Sequence, residues 1–203
     1  MNVLISVTSF VVLGYLLGSL SFAVIVSKAF GIADPRTFGS GNPGATNVLR
    51  SGNKPAALLT LLGDALKGWV AMWLARKLGA DVLGVAAAGV AAFIGHVFPL
   101  FLKFKGGKGV ATAFGVLAGF NGWLALICAG VWLLTAIVTR YSSLAALVAA
   151  VAAPIATAWL GVGNEALVAI TAMCGVLILR HRDNIKRLLA GTEGRLGSKR
   201  KSN

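Results

Sequence analysis

The stretch that decides the fold is Val110-Ala111-Thr112-Ala113-Phe114-Gly115-Val116-Leu117-Ala118-Gly119-Phe120-Asn121-Gly122-Trp123, which runs on apolar to Val138. Read as one helix, residues 110–138 cross a bilayer once with several residues to spare, because about 20 suffice. The chain then has six spans, and both ends lie on the same side. Read as two helices parted at Gly119-Phe120-Asn121-Gly122, it has seven, and the ends lie on opposite sides. Charge separates the two readings. With six spans the basic tail (Arg180, Arg182, Lys186, Arg187, Arg195, Lys199, Arg200 and Lys201) faces away from the basic stretch 28–54, against the positive-inside bias. With seven, all but three of the 19 Lys and Arg residues are cytoplasmic; Arg76 and Lys77 lie outside and Lys67 lies within a span. Seven spans are therefore expected, with the N-terminus outside and the C-terminus cytoplasmic. The fourth, of about 10 to 15 residues, is short for a bilayer. It must tilt, begin in the preceding glycine loop, or sit in a thinned membrane.

Composition agrees with a membrane protein. Of 203 residues, 57% are hydrophobic and 12% charged, and the mean hydropathy is +0.83. No soluble domain of this size buries so much apolar surface. The expected fold class is all-α integral membrane, a compact bundle of seven transmembrane helices forming one domain over 1–203. The other spans are expected at 3–27, 55–75, 82–102, 144–160 and 165–179. No basic residue precedes Lys28, so the first span reads as an anchor and not a cleaved signal peptide. Pro55 suits the first turn of the second span, and Ser142 or Ser143 is positioned to cap the sixth. Gly14 with Gly18, and Gly115 with Gly119, offer small faces for close helix packing. A net charge of +13 would suggest nucleic acid in a soluble protein. Here the bases sit between apolar spans, so the expected partners are membrane lipids and anionic substrates, with no nucleic acid. Cys128 and Cys174 lie in apolar surroundings and read as packed thiols.

Seven spans bring four polar stretches to the cytoplasmic face: 28–54, 103–109, 140–143 and 180–203. The second reads Lys103-Phe104-Lys105-Gly106-Gly107-Lys108-Gly109. If Val110 opens a helix, the free N–H groups of its first turn face this loop. Glycines allow close backbone approach to an anion, and lysines add charge. A plain turn in a positively charged flank has the same composition. The nucleotide P-loop spacing is absent. The first stretch contains Gly39-Ser40-Gly41-Asn42-Pro43-Gly44-Ala45-Thr46-Asn47 followed by Arg50, whose guanidinium grips phosphate in a fork. In the last stretch His181 and Asn184 are three apart and share a helix face. Histidine suits proton transfer near neutral pH, and asparagine can orient a hydroxyl or an oxyanion. Glu193 can pair with the surrounding bases. Asp64 and Lys67 are three apart inside the second span, where pairing and function are both open readings. His96 either bonds between helices or approaches the site. No metal-ligand spacing occurs, and neither G-x-S-x-G nor H-x-x-x-x-D is present.

Taken together, Ser40 to Asn47 with Arg50, Lys105-Gly106-Gly107-Lys108-Gly109-Val110-Ala111-Thr112, and His181-x-x-Asn184-Ile185 through Glu193 resemble the PlsY family across essentially the whole chain. The family consists of bacterial membrane glycerol-3-phosphate acyltransferases that use acyl-phosphate. The resemblance implies acyl transfer to the 1-hydroxyl of glycerol 3-phosphate, giving lysophosphatidic acid and phosphate at the start of phospholipid synthesis. It implies a bacterial inner-membrane location, a cytoplasmic site, no cofactor, and an upstream enzyme that forms acyl-phosphate. By motif match, Ser40, Arg50, His181 and Asn184 are the catalytic positions. Asn42, Lys105, Gly106, Gly107, Lys108, Gly109 and Ser143 are the substrate-binding positions, and Glu193 is tied to integrity. A transporter or a structural lipid-binding protein would use a similar basic face, but no internal repeat of the transporter kind is visible.

Overall fold

The computed structural model describes residues 3–197; the basic residues Lys199, Arg200 and Lys201 of the tail lie outside the described residues. The described residues form ten α-helices, one 3-10 turn and no strand: α1 (Val3–Gly18), α2 (Phe22–Ala29), α3 (Ala45–Leu49), α4 (Lys54–Lys77), α5 (Val82–Val97), the 3-10 turn Leu100–Leu102, α6 (Val110–Phe120), α7 (Gly122–Thr139), α8 (Ser142–Trp159), α9 (Asn164–Arg180) and α10 (Arg182–Leu189). Among the described residues, five segments are long and apolar enough to cross a membrane: 7–29 (α1 with α2), α4, 82–102 (α5 with the 3-10 turn), α7 and α8. The pair α9 and α10 meets that test together and bends by 57°. The sixth helix, α6, has 11 residues, roughly 16 Å of rise against a hydrocarbon core of about 30 Å.

The apolar run 110–138 is divided where its Asn and Gly residues stand. Asn121 has an extended backbone and serves both neighbours. Its N–H donates to Leu117 O at 2.9 Å, closing α6. Its side-chain oxygen accepts from Trp123 N and Leu124 N at 2.8 and 3.2 Å, opening α7. The Arg76 guanidinium donates to Gly119 O at 2.6 Å, satisfying a carbonyl at the end of α6.

Two expectations need correction. The first span is not one helix: it breaks between Gly18 and Phe22. Ser19 Oγ bonds back to Tyr15 O at 2.8 Å and also accepts Leu100 N at 3.2 Å. The Leu20 carbonyl left free by the break accepts Lys67 Nζ at 2.6 Å. Neither Ser142 nor Ser143 caps α8; its cap residue is Tyr141, without a side-chain bond. Both serine hydroxyls are used elsewhere, Ser142 toward Thr46 at 3.1 Å and Ser143 toward Glu193 at 2.7 Å. The polar stretch 28–54 also contains the short helix α3.

Packing follows the small residues. The first helix lies along α5, α6 along α4, and α7 along α8. A Cβ on Gly14 or Gly18 would collide with the backbone of Ala88 or Ala92, and one on Gly115 with the carbonyl of Ala65. These glycines let backbones approach to a distance that a side chain forbids. Facing outward are Leu58, Leu62, Leu66, Leu134, Ile137, Val138, Ile155 and Val168, all exposed. So large an apolar exterior is stable in hydrocarbon, not in water. Within the bundle, Asp64 and Lys67 pair at 2.8 Å with side chains 2% exposed.

Candidate active site

The loop before α6 begins with an abrupt turn. Lys103 and Phe104 both take left-handed φ values, 52° and 61°, a conformation that non-glycine residues seldom adopt. The chain then lies flat on the end of α5. Gly107 N–H donates to His96 O at 3.1 Å. A Cβ on Gly106 would strike the carbonyls of His96 and Val97, and one on Gly107 would strike the His96 ring. Gly109, at φ +84°, rests against the Phe93 ring and leads into α6, whose first turn no side chain caps. The glycines therefore have a packing role toward α5.

All four polar stretches converge at this end of the molecule. Lys108 Nζ donates to Asn184 Oδ1 on α10. Asn184 Nδ2 donates to Glu193 Oε1 at 2.6 Å, Ser143 Oγ donates to the same oxygen at 2.7 Å, and Arg187 Nε donates to Glu193 Oε2 at 2.7 Å. Glu193 thus ties α8, α10 and the tail together, and Asn184 passes the connection to Lys108. Burial pushes the Glu193 carboxyl up, but hydrogen bonds from Ser143, Asn184 and Arg187 outweigh that and hold it below its usual value. Burial lowers the Lys108 ammonium to about 8; Glu193 opposes this, while Arg187, Arg50 and Arg180 reinforce it. A lysine so placed gains from a second anion, because the neighbouring cations then have something to neutralise.

His181 stands at the bend between α9 and α10, 2% exposed. Its Nδ1 lies 2.8 Å from Leu177 O. A carbonyl only accepts, so that nitrogen carries the proton and Nε2 of the neutral ring keeps its lone pair. Arg180 reaches back to Gly106 O at 3.3 Å and Gly107 O at 3.5 Å, with its guanidinium over the Phe98 ring.

The first stretch is organised by Asn47, which is buried. Its Nδ2 donates to Pro35 O at 2.6 Å and Phe38 O at 3.1 Å. Its Oδ1 accepts Ser40 N at 2.9 Å and Arg50 Nη1 at 3.4 Å. Ser40 and Arg50 are exposed on the rim, and Asn42 is half-buried with its amide beside Gly44. Arg50 leans toward the tail: a Cβ on Gly194 would lie 3.6 Å from its Nη2. Lys105 does not join the Lys108 cluster. It lines a cleft of about 320 Å³ with Arg36, Gly41, Pro43, Gly106 and Arg180. Arg36 is itself held by Asp34, at 2.6 Å.

Sequence reasoning singled out neither Asn47 as the anchor of the first loop nor Arg180 and Arg187 as parts of the cluster. The first signal is an amide between Thr46 and Val48 in an otherwise apolar turn. The arginines carried no distinguishing signal within a uniformly basic tail.

The fold and the site define a polytopic membrane protein with a cationic, hydrogen-bonded centre at one end of its helices. The sequence profile of the family described as glycerol-3-phosphate acyltransferase matches residues 8–191. A glycerol-3-phosphate acyltransferase of Laribacter hongkongensis is 60% identical over 94% of this chain and 96% of its own length. One of Ralstonia nicotianae is 56% identical over 99% of both. Among solved structures, PlsY in its glycerol 3-phosphate form, described as an integral membrane glycerol 3-phosphate acyltransferase, superposes with a TM-score of 0.89 at 39% identity, covering 95% of this chain and 96% of that one. Its lysophosphatidic acid form gives 0.88 at 38% identity. The chain belongs to the glycerol-3-phosphate acyltransferase family, as a PlsY-type member.

Proposed function

We propose that the protein transfers a fatty acyl group from acyl-phosphate to the 1-hydroxyl of sn-glycerol 3-phosphate, releasing lysophosphatidic acid and inorganic phosphate. The observation that carries this reading is the hydrogen-bonded line Lys108–Asn184–Glu193–Ser143, drawn from three separate polar stretches and flanked by Arg50, Arg180 and Arg187. Two phosphate-bearing reactants repel one another, by about 1 kcal/mol at 4 Å even in bulk water and more near lipid. A cluster of cations offsets that repulsion and holds the reactants side by side.

Acyl-phosphate is a mixed anhydride and already activated, so no acyl-enzyme is needed. The glycerol oxygen attacks the acyl carbonyl and forms the ester bond. The bond from the acyl carbon to the phosphate oxygen breaks, and phosphate leaves. The hydroxyl proton goes to Nε2 of His181 or to a substrate phosphate. Lys108, Lys105 and Arg50 neutralise phosphate, while Ser40, Asn42, Asn184, Ser143 and the N–H groups of Gly106, Lys108 and Gly109 orient the reactants and the oxyanion. An apolar pocket lined by Val110, Ala113, Leu117, Ala146, Ala150 and Leu177 begins beside the loop; at about 30 Å³ it admits little more than a water-sized group, so an acyl chain entering there must part the helices. We place the site on the cytoplasmic face of a bacterial inner membrane, with seven crossings, α6 the short one, and the N-terminus outside. An enzyme making acyl-phosphate would act upstream, and the product would enter phospholipid synthesis.

The test is purified protein in lipid nanodiscs with acyl-phosphate and glycerol 3-phosphate, following phosphate release and lysolipid. Turnover with acyl-phosphate and none with acyl-CoA or acyl carrier protein is expected. Turnover with acyl-CoA alone would overturn the donor assignment.

A further inference from the structure

A second polar cluster lies inside the bundle, beneath the loop and apart from the residues assigned above. Asp64 and Lys67 on α4 pair at 2.8 Å, and His96 Nδ1 on α5 lies 3.5 Å from the same Asp64 oxygen. All three side chains are at least nine-tenths buried. Charges are costly in such surroundings unless they are held by partners; here Asp64 and Lys67 hold each other, and the His96 ring lies alongside with its Nδ1 making no hydrogen bond. The cluster is connected at both ends. Lys67 Nζ donates to the Leu20 carbonyl at the break between α1 and α2. At the other end, the His96 carbonyl accepts Gly107 N–H, and the His96 ring lies under Gly107, where no Cβ fits. Ser19, beside the same break, accepts Leu100 N, and Tyr15 OH donates to Phe98 O at 2.8 Å. The turn that carries the glycines is therefore fixed from below by groups on α1, α4 and α5.

We infer that Asp64, Lys67 and His96 are positioning residues for the reaction: they set the His96 turn on which Gly106 and Gly107 lie, and so place Lys108 against Asn184. None of the three touches substrate on the acyltransferase reading proposed above. Their effect passes through the loop. A loop held only by its own backbone would let the Lys108 ammonium wander, and a misplacement on the order of 1 Å costs about 100-fold in rate. An ion pair kept solely for helix packing would instead change the yield of folded protein and leave the loop unaffected.

The experiment uses the full chain in nanodiscs, with His96→Leu, His96→Asn and the doubly neutral Asp64→Leu/Lys67→Met. Replacing a buried pair by apolar residues of similar size commonly preserves folding, whereas removing one partner does not. Hydrogen exchange of the amides at 105–109 is read beside KM for glycerol 3-phosphate and kcat. For His96→Leu and for the double variant, we expect loop exchange at least tenfold faster, with unchanged exchange in α7 and α8, and KM raised about tenfold or more. His96→Asn keeps a donor near the Nδ1 position and should bring KM back to within about threefold of wild type. Loop exchange and KM unchanged in the folded double variant would overturn the inference. Absence of turnover in the wild-type protein would overturn the acyltransferase reading instead, and the exchange measurement would still decide whether the cluster holds the loop.

Discussion

Raising the pH from 7 to 9 should raise the KM for glycerol 3-phosphate about tenfold, and Lys108 should be the cause. Burial lowers its ammonium to about 8, so about nine-tenths of the side chains are charged at pH 7 and about one-tenth at pH 9. Glycerol 3-phosphate is a dianion throughout, its second proton leaving near pH 6 by analogy with other phosphate monoesters. Only the enzyme side of the pairing therefore changes. A tenfold loss corresponds to about 1.4 kcal/mol. The sign is fixed: a lysine with a lowered value loses its charge as pH rises, so binding weakens toward alkali. Lys108→Ala removes the contact altogether. A hydrogen bond to a charged group is worth about 1.5–3 kcal/mol, so KM should rise roughly 10- to 150-fold at pH 7. In this variant KM should no longer depend on pH between 7 and 9. The assay is initial-rate phosphate release in nanodiscs at saturating acyl-phosphate, with glycerol 3-phosphate varied at each pH. A flat wild-type profile, or an unchanged slope in Lys108→Ala, would refute the assignment.

Glu193→Ala strips the acceptor from Ser143 and Asn184, and from the half-exposed Arg187, whose share is small. A stability loss of roughly 3–5 kcal/mol is expected, seen as a lower Tm, while Glu193→Gln, which keeps an acceptor for Asn184, should lose about 1 kcal/mol. Because the folded Glu193 carboxyl sits below its ordinary 4.5, its contribution is complete above that value and fades as pH falls below it, which thermal melts in acid would record. Asn47→Ala should cost about 2–4 kcal/mol and open the chain around 36–42 to protease, because two carbonyls and two donors lose their partner together. In Gly115→Ala the new methyl meets the Ala65 carbonyl, and α6 must move off α4 at a cost of about 1–3 kcal/mol. Gly130→Ala, mid-helix in α7 where a Cβ meets nothing, should not lower the melting temperature and should raise it slightly, since alanine is the better helix former.

Much of the architecture was legible in the chain because hydrocarbon is a demanding solvent. Backbone groups there must be satisfied within each helix, so long apolar runs translate directly into helices, and the punctuation at Gly119 to Gly122 into a break. Asn121 does what a polar residue between two apolar runs is expected to do. The first span shows the limit of that reasoning. Hydropathy is continuous through Ser19-Leu20-Ser21, and it is Lys67, donating from another helix to the freed Leu20 carbonyl, that makes the break tolerable. The serines at 142 and 143 fail as caps for the same reason. Residue type made them eligible, but partners at Thr46 and Glu193, about 50 or more residues away, claimed their hydroxyls.

By itself, the amino-acid sequence determined that the protein lives in a membrane, which residues carry charge and chemistry, and that these gather in four polar stretches, because those properties belong to residue types and their spacing. Only the tertiary structure decided that Lys108 meets Asn184 while Lys105 faces a separate cleft. Only there does Glu193 become the common acceptor of three side chains, and only there does the buried ion pair on α4 stand beneath the glycine turn through His96. The pairings of Lys108 with Asn184, Ser143 with Glu193 and Asp64 with His96 span tens of residues. They are set by how closely glycine-lined helices pack, a distance that no local pattern encodes.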